Sequence, residues 1–314
     1  MIIGIVYLHC PPYVPIAEVS PGAFNFLKAL VQDGLFRATV PVLTVISGYL
    51  YFRSFSADKF ARNVQKKFMT LIVPMVVWNI IIFADYKIVN IMVPNIKLGR
   101  DILWWNAIFA LTDQPINYPT WFLRDLFVLA LLGIVFDQLL RRAPLLGLLL
   151  VVGVFLFDFD SKLLLNGSMA INFYMGGWIA RSRVNVFALD RFWLPGLLAW
   201  VGLSALWVHA RLENLTFLQL TMPYCIWPAM AALQRTRLAP LLLRLAPSSF
   251  SVFLLHAPFL AVLWAVYKLI DPTQAFYVAF WLAGPLLSVL GPVLVRLTVL
   301  AVSPALAGLL FGNR

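Results

Sequence analysis

Apolar runs long enough to cross a lipid bilayer recur along this chain, and most of the charged residues fall between them. LFRATVPVLTVISGYLYF (Leu35–Phe52) gives way to a basic stretch carrying Arg53, Lys59, Arg62, Lys66 and Lys67. Trp121–Leu140 closes on Arg141 and Arg142, Ser168–Ala180 on Arg181 and Arg183, and Phe217–Leu233 on Arg235 and Arg237. Hydrocarbon offers no water to backbone N–H and C=O groups, so a spanning segment must satisfy them internally. The residues are 62% hydrophobic and 12% charged, against roughly 45–50% and about 25% in a soluble domain. The chain therefore reads as one all-α, polytopic transmembrane helical bundle over residues 1–314. A net charge of +11 would suit nucleic acid, but its cations sit in short clusters between apolar runs, which is the positive-inside pattern of membrane proteins.

About ten spans are expected. The first is the run MIIGIVYLHCPP, and a loop over Tyr13–Asp33 leads to the second, Leu35–Phe52. The third covers about Phe68–Ala84, with Pro74 as a kink. A polar-aromatic connection, Asp85–Thr120, contains the short apolar piece Ile102–Leu111. Then come Trp121–Leu140, Pro144–Phe157 (ending at Asp158 and Asp160), Ser168–Ala180, Phe192–Ala210, Phe217–Leu233 and Phe250–Ile270. The last begins near Gln274 and passes Val295, with Leu297–Phe311 apolar beyond it. With a cytoplasmic N-terminus and alternating spans, fifteen of the 24 Lys and Arg residues fall inside, Lys59 and Arg142 among them. Nine fall outside, among them Lys97, Arg100 and Lys162. No basic n-region or small-residue cleavage site marks a signal peptide.

The first span is short. Ten helical residues rise about 15 Å, half of a hydrocarbon core about 30 Å thick. Either this helix does not cross, or residues precede Met1. The second is expected: a truncated first helix, with about ten more apolar residues upstream and an arginine about eleven positions before His9 on the same helix face.

His9 is the titratable group in that span, and an ionisable side chain inside a membrane defaults to a functional role. Its ordinary pKa of about 6.5 makes it usable as a base. A histidine merely hydrogen-bonded to a neighbouring helix fits the sequence as well. His256, in FSVFLLHAPFL, reads alone as a packing histidine, and His209 as interfacial. Three histidines on three spans give no metal-ligand spacing. Cys10 and Cys225 form neither a metal motif nor a disulfide framework, and read as small hydrophobes. Arg124 and Asp125 open the fourth span. They suit either an interfacial ion pair or contact with a polar acceptor, and Arg37 is placed to line the same cavity.

Several pieces in order resemble one family. They are GIVYLHC, VPVLTVISGYLYF, the basic stretch before KKFMTLIVPMVVW, YPTWFLRDLFVLALL, INFYMGGWIARSR and SSFSVFLLHAPFL. Together, over Ile2 to about Val295, they resemble the acyltransferase 3 family of bacterial membrane O-acyltransferases. The resemblance implies transfer of an acetyl or related acyl group from coenzyme A to a hydroxyl. The acceptor is a cell-surface carbohydrate or similar molecule, and the setting is a multi-pass protein of the bacterial inner membrane. It maps the family's first-helix histidine onto His9, as catalytic base or as a covalent acyl carrier. Its later serine-to-histidine element maps onto Ser249 to His256. Acetyl-CoA is then a co-substrate, with no bound cofactor, no metal and no nucleic-acid partner. Arg53, Arg62, Lys66 and Lys67 would meet the donor phosphates. Arg37, Arg124, Asp125 and His256 would meet the acceptor. Members also carry an arginine about three helical turns before the histidine, for which this sequence has no counterpart. A flippase of saccharide-lipids is the competing class, though no paired broken helices in matching halves speak for it. A catalytically inactive relative is the third reading.

Overall fold

Each apolar run folds as helix, and all regular structure among the described residues is helical. The computed structural model describes residues 1–92, 102–157, 163–270 and 273–312, with the side chains of residues 274 and 275 left aside. In chain order the helices are α1 (Ile2–Leu8), α2 (Ala23–Ala29), α3 (Thr39–Arg53), α4 (Phe60–Lys67), α5 (Val73–Met92), α6 (Trp104–Phe109), α7 (Trp121–Leu131) and α8 (Gly133–Arg142). They continue with α9 (Pro144–Leu156), α10 (Ser168–Arg181), α11 (Trp193–His209), α12 (Thr216–Gln234), α13 (Ala239–Leu245), α14 (Ser249–Ile270), α15 (Gln274–Val302) and α16 (Pro304–Phe311). Five continuous helical stretches are long and apolar enough to cross a membrane: Ala23–Arg53, Ala57–Met92, Val186–His209, Ala239–Ile270 and Phe276–Val302. The protein is a multi-pass integral membrane protein. Lys97, Arg100, Asp158, Asp160 and Lys162 lie outside the described residues.

Two segments differ from expectation. Tyr13–Asp33, expected as loop, is helical from Ala23 onward. There α2 runs through a π-helical turn (Leu30–Leu35) towards α3. Its polar residues Lys28, Gln32 and Asp33 are all buried. Each has a partner: Lys28 Nζ donates to the Pro12 carbonyl at 2.6 Å, Gln32 to two carbonyls of the first segment, and Asp33 pairs with Arg37. A buried polar group is tolerable when its hydrogen bonds are made. The basic stretch after Arg53 is likewise helix from Ala57, so the third rod extends at both ends of the expected span, to Met92. Pro74 sits just beyond a π-helical turn, Phe68–Ile72. A proline ring clashes with the carbonyl four residues back, and the widened turn relieves that clash at Thr70.

The bundle is tightest where α3 meets α10. A Cβ on Gly48 would lie 2.1 Å from the Phe173 carbonyl oxygen, and one on Gly176 would lie 2.1 Å from that of Val45. Small residues let membrane helices approach backbone to backbone, where packing replaces the hydrophobic drive lost in lipid. At one end of this pair Phe52, Leu140 and Gly177 come together. Asp137 of α8 accepts there from Arg141 at 2.8 Å and from Arg181 of α10. The arginine-bearing ends of α3, α8 and α10 thus gather at one end of the bundle.

Candidate active site

The first helix is only seven residues long, and its end is held by other elements. A helix terminus leaves carbonyls without intrahelical partners. Here Gln32 Nε2 donates to the carbonyls of Tyr7 (2.9 Å) and Cys10 (2.8 Å), Tyr277 Oη to that of Pro11 (3.1 Å), and Lys28 to that of Pro12. Gly4 lets α1 close on the start of α3: a Cβ there would sit 2.6 Å from the Phe36 ring and 2.9 Å from Thr39 Cγ2. His9 follows directly as the C-cap residue.

His256, 247 positions later, reaches the same point. It is fully buried on α14, and its Nε2 lies 3.2 Å from His9 Nδ1. The surrounding carbonyls assign the protons. His256 Nδ1 faces the carbonyl oxygens of Val252 (3.0 Å) and Phe253 (2.8 Å), which only accept, so it carries the hydrogen. In the neutral ring Nε2 is then the acceptor. His9 Nδ1 must therefore donate, and the Ile5 carbonyl 2.9 Å away takes part of the same bond. This leaves Nε2 as the lone-pair nitrogen of His9, with no hydrogen-bond partner among the described residues. Pro258 lacks the N–H that the Leu254 carbonyl would take within α14, and Asn117 Nδ2 donates to that carbonyl instead, at 2.7 Å. The turn carrying His256 is thereby tied to the segment before α7.

His9 lines a cavity of about 450 Å³ together with Tyr13, Arg37, Tyr118, Asn166, Ser168 and Gln219. Arg37 Nη2 donates to Asp33 Oδ1 (2.7 Å) and to the Tyr13 hydroxyl (2.8 Å), while its Nε is buried with no hydrogen-bond partner. A buried donor without a protein partner calls for an explanation, and Arg37 is one of the residues around this cavity. Arg124 and Asp125 are not in that wall. Asp125, fully buried, accepts from the backbone N–H of Leu165 (3.1 Å) and Asn166 (3.0 Å) and from Arg124 (3.0 Å). Arg124 also donates to the carbonyls of Leu163 and Leu111. The pair clamps two loops, one of which presents Asn166 to the cavity. His256 likewise touches His9 rather than the open space.

A second cavity, of about 830 Å³, opens towards the basic end and is lined by Ser54, Asn63, Lys66, Lys67, Thr70 and Ser249. Of the four expected donor cations, Lys66 and Lys67 line it. Arg53 lies over the Tyr49 ring at 5.9 Å, and Arg62 is exposed; neither is in the wall. Tyr118, Asn166, Ser168 and Gln219 were missed by sequence reasoning. Their only signal was a polar side chain in or beside an apolar run.

A helical membrane protein with a proton-ordered histidine pair beside an internal cavity suits acid–base chemistry at a membrane. A family model described as an acyltransferase domain matches residues 1–297, and the chain belongs to the acyltransferase 3 family. Among curated proteins it is similar to the succinoglycan biosynthesis protein ExoH of Rhizobium meliloti (strain 1021). The two are 28% identical over 341 residues, covering 100% of this chain and 90% of that protein. No solved structure matches.

Proposed function

We propose that this protein is an O-acyltransferase of the bacterial inner membrane, crossing it about ten times. It moves a short acyl group, acetyl in the simplest case, from coenzyme A to a hydroxyl of a cell-surface carbohydrate. The observation that carries the reading is His9 Nε2, a free lone pair at a cavity wall, kept in that tautomer by His256 and Ile5. The similarity to a succinoglycan biosynthesis protein supports a glycan acceptor.

The chemistry follows from that nitrogen. The acceptor hydroxyl, bonded to His9 Nε2, attacks the thioester carbonyl, and its proton passes to Nε2. The C–S bond breaks as the C–O ester forms, and the thiolate of coenzyme A takes the proton from the imidazolium. His256 Nε2 accepts from His9 Nδ1–H throughout, so it stabilises the imidazolium and holds the ring's direction. It acts as a positioning residue. Arg37, which lines the cavity, is a donor for an acceptor oxygen or for the developing oxyanion. Lys66 and Lys67 supply cations for donor phosphates in the cytoplasm-facing cavity. This arrangement follows the positive-inside distribution of charge.

The test is transfer of label from radioactive acetyl-CoA in membranes holding the protein and its polysaccharide substrate. Base-labile label in the polysaccharide fraction is expected, lost in His9→Ala. Absence of transfer by the unmodified chain would leave the inactive relative. Undiminished transfer by His9→Ala would remove the mechanism.

A further inference from the structure

The two cavities approach each other within one helical turn. On α3 the lining passes from Val40 and Pro41 on the His9 side to Leu43 and Ser47 on the lysine side. On α1 it passes from Ile5 and Leu8 to Ile2 and Ile3, and on α7 from Trp121 to Leu123. Two or three helical residues rise roughly 3–5 Å, so the partition is about one side chain thick. Phe122 of α7 and Phe253 of α14 line both cavities. Their rings meet edge to face, with centroids 5.7 Å apart and planes at 61°. Both side chains are shielded almost completely, at 6% and 3% exposure. A ring in a close-packed core has nowhere to go, but these two have open space on either side of their contact.

We propose that Phe122 and Phe253 form a gate between the two cavities. The gate is closed by ring contact at rest and opened when the acyl end of the donor enters between the rings, and its width limits the bulk of the acyl group. Assigning one cavity to donor and the other to acceptor rests on the acyltransferase reading above; the partition itself rests on the two cavities and the ring pair. A closed gate keeps water and protons from passing between the membrane faces through a protein that holds polar cavities towards both. It also places the point of entry beside the histidine pair, since the Phe253 and His256 rings lie 6.1 Å apart.

Two measurements test this. The first needs no activity. In a chain carrying Cys10→Ser, Cys225→Ser and His9→Cys, an anionic, membrane-impermeant methanethiosulfonate is applied in turn to each face of sealed vesicles. With Phe122 in place, labelling from the Lys66/Lys67 face is expected to be slow. Adding Phe122→Ala should speed it at least tenfold, with labelling from the opposite face unchanged. Leu8→Cys serves as a second reporter in the same cavity, and Phe122→Leu as a milder opening should either alanine or cysteine variant fail to accumulate. Equal labelling from the lysine face with and without the change, whether fast or slow, would overturn the gate. The second compares acetyl-CoA with benzoyl-CoA in membranes. In Phe122→Ala the ratio of benzoyl to acetyl transfer should rise about tenfold, and an unchanged ratio would overturn the size limit. If the unmodified chain transfers nothing, the acyltransferase reading fails while the labelling still decides the gate.

Discussion

Two Arg–Asp pairs stand near the His9 cavity, and their hydrogen bonds separate them. In Arg37–Asp33 one guanidinium nitrogen serves both Asp33 and Tyr13, the buried Nε has no hydrogen-bond partner, and the residue lines the His9 cavity. In Arg124–Asp125 the hydrogen bonds run to the partner and to the backbone of Leu111, Leu163, Leu165 and Asn166. The first pair keeps bonding capacity for something absent from the fold. The second spends its capacity on the fold. His9, with a free Nε2, belongs with the first kind. Unspent bonding capacity thus separates the two pairs where charge and burial do not.

The sharpest test of that division is His9→Ala. Loss of a positioned base should lower transfer by about 10²–10⁴-fold, with the protein still accumulating in membranes. His9 makes one side-chain bond to its own helix and one to His256. A collapse of membrane level with no specific loss of transfer would move His9 among the structural residues.

Asp125→Ala should behave oppositely. Removing one member of a buried pair leaves the other charge uncompensated, at a cost of about 3–5 kcal/mol, and here it also strands two backbone N–H groups. Thermal denaturation in detergent should report a large loss of stability, and membrane levels should fall. A stable Asp125→Ala protein that fails only in transfer would erase the contrast between the pairs.

Arg37→Lys probes the first pair without abandoning Asp33, which stays opposite a cation. Lysine lacks Nε and the planar fork. The expected effect is about a tenfold rise in acceptor KM, roughly 1.4 kcal/mol, with stability little changed. An unaltered KM would mean that the unpaired Nε has no ligand.

The sequence carried the apolar runs, Pro74 and the gathering of arginines at the ends of spans, because these are local patterns of composition. It missed the helix from Ala23 onward within the loop expected over Tyr13–Asp33. Nothing local says that three polar residues in a row of turns are buried against the carbonyls of Pro12, Tyr7 and Cys10. The candidate site divides the same way. His9 stood out as an ionisable group in an apolar run, but its tautomer depends on His256, and the two meet only when α1 packs against α14. Arg37 and Arg124 were equivalent on paper, since what separates them is which neighbours their nitrogens find.

The same division recurs, more weakly, at the basic end. Lys66 and Lys67 line the larger cavity, whereas Arg53 lies over Tyr49 and Arg62 is exposed outside the wall. Of the four cations proposed to meet the donor phosphates, only the two lysines stand in a cavity wall. Exposed ion pairs contribute about 0.2–1 kcal/mol, which corresponds to roughly 1.4- to five-fold in affinity. Lys66→Ala and Lys67→Ala should each raise the KM for acyl-CoA by about that factor, with kcat retained. Arg53→Ala and Arg62→Ala should leave it within about two-fold. The lysine effect should shrink as ionic strength rises from about 0.01 to 1 M, because screening shortens from about 30 to 3 Å. An equal response from all four positions would assign the phosphates to the diffuse field of the basic end rather than to the cavity wall.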